Sequence, residues 1–172
     1  MKKYLIIIIT LFFNLNILSA DDRVDQLNKL FNELKMNNSI IANEVEKKIW
    51  KIWSTHPADE KLTSLLAEGS NLVNNDKYNQ AIDIFSKAIE LDPSWAEAWN
   101  KRATVLYLSG EFEKSQNDID KVLELEKRHF GALAGQGLVN LHLKNYEKAI
   151  ESYKKAKEIH PSMKSPDIMI EK

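Results

Sequence analysis

The chain has no cysteine, and only five glycines and four prolines in 172 residues. The first absence removes disulfides, thiolate nucleophiles, cysteine-based zinc sites, iron–sulfur clusters and a lipid-modified cysteine. The second leaves little material for long loops or many-turned β architectures. A strong charge of one sign is also missing. The formal net charge is −1, and no Lys/Arg cluster of the length a nucleic-acid groove needs follows residue 20, so nucleic acid is not an expected partner. Catalytic signatures are missing too: no G-x-S-x-G, Walker A, G-x-G-x-x-G or H-E-x-x-H occurs. His56, His129, His142 and His160 show no ligand spacing. The expectation is a chain without catalysis, metal or cofactor.

What is there is ordinary for a soluble protein, 44% hydrophobic and 28% charged, in a length that suits one domain. Lys, Glu, Ala, Leu and Asn dominate, which favours helices. The start differs from the body. Lys2 and Lys3 precede the apolar run "YLIIIITLFF", and no acid occurs before Asp21. This is the layout of a secretory signal peptide over residues 1–20, with Ala20 as the last residue before cleavage. Asn14 and Asn16 interrupt the run, which falls short of the ~20 apolar residues of a membrane span. The alternative is an uncleaved anchor in the inner membrane. Cleavage removes two lysines and no acid, moving the net charge from −1 to −3. A bacterial protein exported this way and lacking a lipid anchor is expected free in the periplasm, with no membrane contact once the signal is gone.

One pattern repeats. "YNQAIDIFSKAIELDP" from Tyr78, "FEKSQNDIDKVLELEK" from Phe112 and "YEKAIESYKKAKEIHP" from Tyr146 are spaced by 34 residues. An aromatic opens each copy (Tyr78, Phe112, Tyr146) and a small residue follows (Ala81, Ser115, Ala149). Next come a large residue (Phe85, Ile119, Tyr153) and then Ala88, Val122 and Ala156. Pro93 and Pro161 close the first and last copies; Lys127 stands at that place in the middle one. The stretches before the copies keep a small residue in register (Gly69, Ala103, Gly137) and end in turn-prone pairs: Asn75-Asp76, Ser109-Gly110 and Lys144-Asn145. Each unit therefore reads as a helix, a tight turn and a second helix. A unit of this size cannot bury its apolar face alone, whereas stacked units can.

These residues resemble the tetratricopeptide repeat (TPR), in period, small residue, opening aromatic, A-x3-F step and closing proline. The units run 62–95, 96–129 and 130–163, and Trp99 takes the family's tryptophan place while Leu65 and Leu133 keep it apolar. The usual apolar place three residues on is polar: Glu68, Arg102 and Gln136. The chain is also similar to short exported bacterial TPR proteins. The resemblance implies an all-α fold, an α-solenoid of three helical hairpins. It further implies a concave groove lined by first helices, suited to a peptide or protein segment. The places that face such a groove hold Leu66, Ser70, Val73 and Asn74 in the first unit. They hold Asn100, Thr104, Tyr107 and Leu108 in the second, and Ala134, Leu138, Leu141 and His142 in the third. The basic clamp that some TPR domains use on a C-terminal carboxylate is replaced by Leu66, Ser70, Lys101, Gly131 and Gly135, with one basic residue among them.

Residues 21–61 carry two further apolar stripes, Val24, Leu27, Leu30, Phe31 and Leu34, then Ile41, Val45, Ile49, Trp50, Ile52 and Trp53. They read as a helical pair, a degenerate unit capping the first repeat, with the two tryptophans as packing residues. At the other end only the tail 164–172 remains. Either Ile150, Tyr153 and Ile159 with Ile168, Met169 and Ile170 form a self-association surface, so that a homo-oligomer forms through this end, or the tail folds back over that face. The function expected is a non-catalytic protein-interaction scaffold in the bacterial cell envelope, its partner unidentified. The alternatives are a membrane-tethered assembly subunit or an accessory subunit of an enzyme complex. N-terminal sequencing of the protein from its native host is expected to read from Asp21; a chain beginning at Met1 identifies the tethered form.

Overall fold

The computed structural model describes residues 20–36 and 39–164, and all regular structure in them is helical. Residues 1–19, which hold nearly all of the expected signal peptide, and Ile168, Met169 and Ile170 of the tail lie outside the described residues. The helices are α1 (Ala20–Met36), α2 (Ser39–Ser54), α3 (Glu60–Val73), α4 (Tyr78–Leu91), α5 (Ala96–Leu108), α6 (Phe112–Leu125), α7 (Phe130–His142) and α8 (Tyr146–Ile159). The pairs α3–α4, α5–α6 and α7–α8 are the three hairpins of an α-solenoid, and α4, α6 and α8 begin 34 residues apart.

Each hairpin turns through one residue with positive φ, at Asp76 (57°), Gly110 (77°) and Lys144 (61°). The next N–H reaches back to the first helix: Lys77 to the Leu72 carbonyl (2.9 Å), Glu111 to Leu106 (2.8 Å) and Asn145 to Asn140 (2.8 Å). This closing bond satisfies a carbonyl that the helix end leaves open. Glycine takes the left-handed conformation without strain in the middle unit; Asp and Lys take it because the turn bonds hold them there.

The two helices of a unit approach through the small residue. A Cβ on Gly69 would lie 2.4 Å from Cε1 of Phe85, and one on Gly137 would lie 2.7 Å from Cδ2 of Tyr153. In the middle unit Ala103 and Ile119 are both buried in one cluster. The larger small residue thus faces the smaller partner, and volume across the crossing is conserved. Ser115 replaces alanine in α6, and its buried hydroxyl donates to the Ala103 carbonyl (2.8 Å). The polar residues at the usual apolar place tie units together. Arg102 forks onto Asp118 (2.7 and 2.8 Å) and donates to Ser86 of the preceding unit (3.0 Å). Gln136 likewise donates to Asp120 of the preceding unit (3.2 Å) and accepts from Ser152 of its own (2.8 Å).

The N-terminal pair is helical, but it does not stack on the first repeat. Its stripes close on each other as Leu27, Leu30, Phe31, Leu34, Ala42, Val45, Ile49 and Trp53, and this core is completed by Phe130, Ile159 and Met163. The hairpin lies across the starts of α5 and α7 and the end of α8. The Trp95 indole donates to the Trp53 carbonyl (2.9 Å), and Arg128 donates to Asn28 (2.7 Å). The reason is in the faces on offer. The outer side of α3 is polar: Ser64 and Asn71 stand where the later units bury Ala98 and Ala132, Val105 and Val139. An apolar hairpin gains nothing there, while Trp95, Phe130 and Ile159 offer it apolar surface.

The far end differs from the expected open face in the same way. Tyr153 is buried (8% exposed) against Gly137, and Ile159 packs on the core of the N-terminal hairpin. Of the described candidates for self-association only Ile150 stands open, at 58% exposure, with Lys154 and Lys157 also exposed on its helix. The volume rule at the crossings is testable by urea denaturation. Gly69→Ala is expected to cost about 1–3 kcal/mol. The double variant Gly69→Ala/Phe85→Ile, which installs the middle unit's own pair, is expected to recover most of that loss.

Candidate functional site

A cavity of about 220 Å³ lies between the first helices α5 and α7. Asn100, Thr104 and Tyr107 of α5 form one wall, Ala134, Gly135 and Leu138 of α7 the other, and Ile119 of α6 the floor. No charged side chain lines it. Two glycines on α7 shape it differently. Gly131 is filled from outside by Trp50, whose Cη2 would be 2.5 Å from an added Cβ. At Gly135 an added Cβ would meet only Cδ1 of Ile119, at 3.6 Å, which is ordinary contact. Unlike Gly69 and Gly137, Gly135 is not required by the packing, yet a helix-interior glycine costs about 1 kcal/mol relative to alanine. Its effect is to keep the recess open.

Five of the residues read from sequence meet at this cavity: Asn100, Thr104, Tyr107, Ala134 and Leu138. The first unit contributes none. Leu66 is 3% exposed and, with Val73, packs around Phe85, while the Ser70 hydroxyl donates to the Leu66 carbonyl (2.8 Å). Asn74 is exposed as the C-cap of α3. Leu66 therefore belongs to the core, in one cluster with Phe85 of the second helix. Leu108 is exposed and Leu141 half-buried. His142 stacks on Phe112 (centroids 4.5 Å apart, 16° between planes) and its Nε2 meets the Tyr107 hydroxyl at 2.9 Å. This bond spans units two and three at the far end of the groove and fixes the Tyr107 ring.

The near end was missed by sequence reasoning. There α2 lays Trp50 against Gly131 and stacks Trp53 on His129, with centroids 4.0 Å apart and planes 9° apart. His129 is fully buried. Its Nδ1 accepts the Ala132 N–H (3.1 Å), capping α7, and its Nε2 faces Glu97 at 3.1 Å. Glu97, also fully buried, accepts from Asn100 Nδ2 (3.1 Å) and has Lys101 Nζ at 3.4 Å. Lys101, the one basic residue at a clamp place, is therefore engaged by a buried acid of its own helix. At the neighbouring loop His56 Nε2 meets Asp92 at 2.8 Å. Burial alone would raise the Asp92 carboxyl, but the bonds from Ser94 and His56 outweigh it and hold it below the usual carboxylate range. The signal for this end lay in the paired tryptophans and in glycines within α7; which surface they would touch was not encoded locally.

The tetratricopeptide repeat family matches residues 66–115 and 101–164. A TPR repeat-containing protein of Rhizobium etli is 33% identical over 150 residues, covering 84% of this chain and 69% of its own. Among solved structures, the first TPR of Spaghetti (RPAP3), bound to the HSP90 peptide SRMEEVD, superposes with a TM-score of 0.58 at 24% identity. That match covers 59% of this chain and 81% of the other. MamA superposes with a TM-score of 0.56 at 22% identity over 83% of this chain and 81% of its own. The chain belongs to the tetratricopeptide repeat family, whose members mediate protein–protein interaction.

Proposed function

We propose that this chain is a non-catalytic scaffold of the bacterial cell envelope that holds a segment of a partner protein in the cavity between α5 and α7. The observation that carries this is the recess at Gly135, an apolar space that packing does not require. A recess of about 220 Å³ takes a large apolar side chain as an anchor, with Asn100 and Thr104 at hand for the partner's backbone. Export rests on the layout of residues 1–20.

The likeness to a TPR domain holding an HSP90 peptide supports use of this face but not the same ligand chemistry. That peptide, SRMEEVD, is acidic. Here the corresponding places are Leu66, Ser70, Lys101, Gly131 and Gly135, and Lys101 already faces Glu97. A neutral, apolar segment suits the lining better, because a carboxylate would be desolvated against it without a partner.

The glycine separates stability from binding. By urea denaturation, Gly135→Ala is expected to stabilise the protein by about 0.5–1 kcal/mol. Gly135→Leu fills the recess and is expected to abolish capture of the partner from envelope extracts while the helical circular dichroism is kept. Tyr107→Ala with Leu138→Ala is expected to lose the same partner. Full retention of it by both would remove the groove from the function.

A further inference from the structure

Within the array each second helix packs on the first helix of the next unit, α4 on α5 and α6 on α7. The two ends break this rule. Among the described residues no helix follows α8. On α3 the outer residues Ser64, Glu68 and Asn71 are exposed. The α1–α2 hairpin covers neither face; on α8 it packs at Ile159, past the exposed residues considered next. The 34-residue period shows which places on these open faces correspond to the contacts inside the array.

Two internal contacts recur in register. Arg102 of α5 donates to Ser86 of α4 (3.0 Å), and 34 residues on Gln136 of α7 donates to Asp120 of α6 (3.2 Å). The same places at the ends hold Lys154 on α8 and Glu68 on α3. Ile82 of α4 and Leu106 of α5 line one recess. At the corresponding places Asn140 of α7 donates to Gln116 of α6 (2.7 Å). The ends hold Ile150 on α8 and Leu72 on α3 there. Each pair matches in chemistry. A donor meets an acceptor at the first place, and like polarity meets like at the second.

Exposure follows the same register. Leu106 and Asn140 are buried under a neighbouring unit, whereas Leu72 is half-buried. Ile82 and Gln116 are half-buried, whereas Ile150 is exposed. Lys154 and Glu68 are exposed and make no hydrogen bond or ion pair among the described residues. Terminal units of any such array need a polar outer face for solubility. Polar residues of either sign meet that need. It does not account for opposite charges at mated places of the two ends, or for an apolar residue on each at a second pair.

We propose that copies of this chain stack head to tail, α8 of one on α3 of the next, with Lys154 against Glu68 and Ile150 against Leu72. Such a contact is heterologous: each copy keeps one free end of each kind, so copies add in series. Pairing of α8 with itself would instead bring the exposed Lys154 and Lys157 of two copies together. The cavity between α5 and α7 takes no part, so the stacking holds whatever that cavity binds.

Sedimentation velocity on the chain as its host processes it tests this. One helix face on another is a small contact, so association is expected between roughly 10 μM and roughly 1 mM. Glu68→Lys and Lys154→Glu lie at exposed places and are each expected to keep the helical circular dichroism. Each is expected to weaken association at least about fivefold by setting like charges together. An equimolar mixture of the two is expected to regain most of it, since each variant supplies the end that the other lacks. Ile150→Ser is expected to weaken association as well. A parent that stays monomeric over the whole range, single variants that associate as the parent does, or a mixture no better than its components would each overturn the stacking. Strengthening by Lys154→Glu alone would overturn it too, as the mark of α8 pairing with itself.

Discussion

Two helices joined by a tight turn can share a core only if their backbones come close, and closeness is bounded by the largest group at the crossing. Each unit meets that bound with a matched pair. Glycine faces Phe85 and Tyr153, where a Cβ would have its nearest contact at 2.4 and 2.7 Å; alanine faces Ile119. The spacing of the two helices in each hairpin follows from these contacts. So does the cavity, which is what remains when first helices are held apart by a fully packed second layer.

The polar residues at the units' contacts do not weaken this arrangement, because each is satisfied. Arg102 and Gln136 each bridge the second helix of their own unit and that of the unit before. A solenoid lets such bridges repeat, since each unit touches only its neighbours. The first unit has no predecessor, and there Glu68 is exposed together with Ser64 and Asn71. The array ends in polarity of its own first helix, which frees the N-terminal hairpin to lie along the repeats rather than on top of them.

The hairpin changes the character of the groove. With it the starts of α5 and α7 are covered by Trp50 and Trp53, and the open part lies between units two and three. The groove is thus partly covered by its own chain, along a seam that buries Trp53, Glu97, His129 and His160.

The sequence by itself determined the helical units, their limits at the turns and the small residue at each crossing. These depend on contacts within 34 residues, and near neighbours in the chain are forced into contact by the turn. The resemblance to the repeat family, rather than periodicity alone, implied that Tyr107 and Leu138 face the groove, and both line the cavity. Only the tertiary structure decided where the N-terminal hairpin lies, that Leu66 and Tyr153 are core, and that Gly131 is filled by Trp50 while Gly135, one turn on, is left open to the cavity. Those outcomes turn on contacts such as Glu46 with His160, 114 residues apart. An amphipathic stripe states that a face must be buried but not which of several apolar surfaces will bury it.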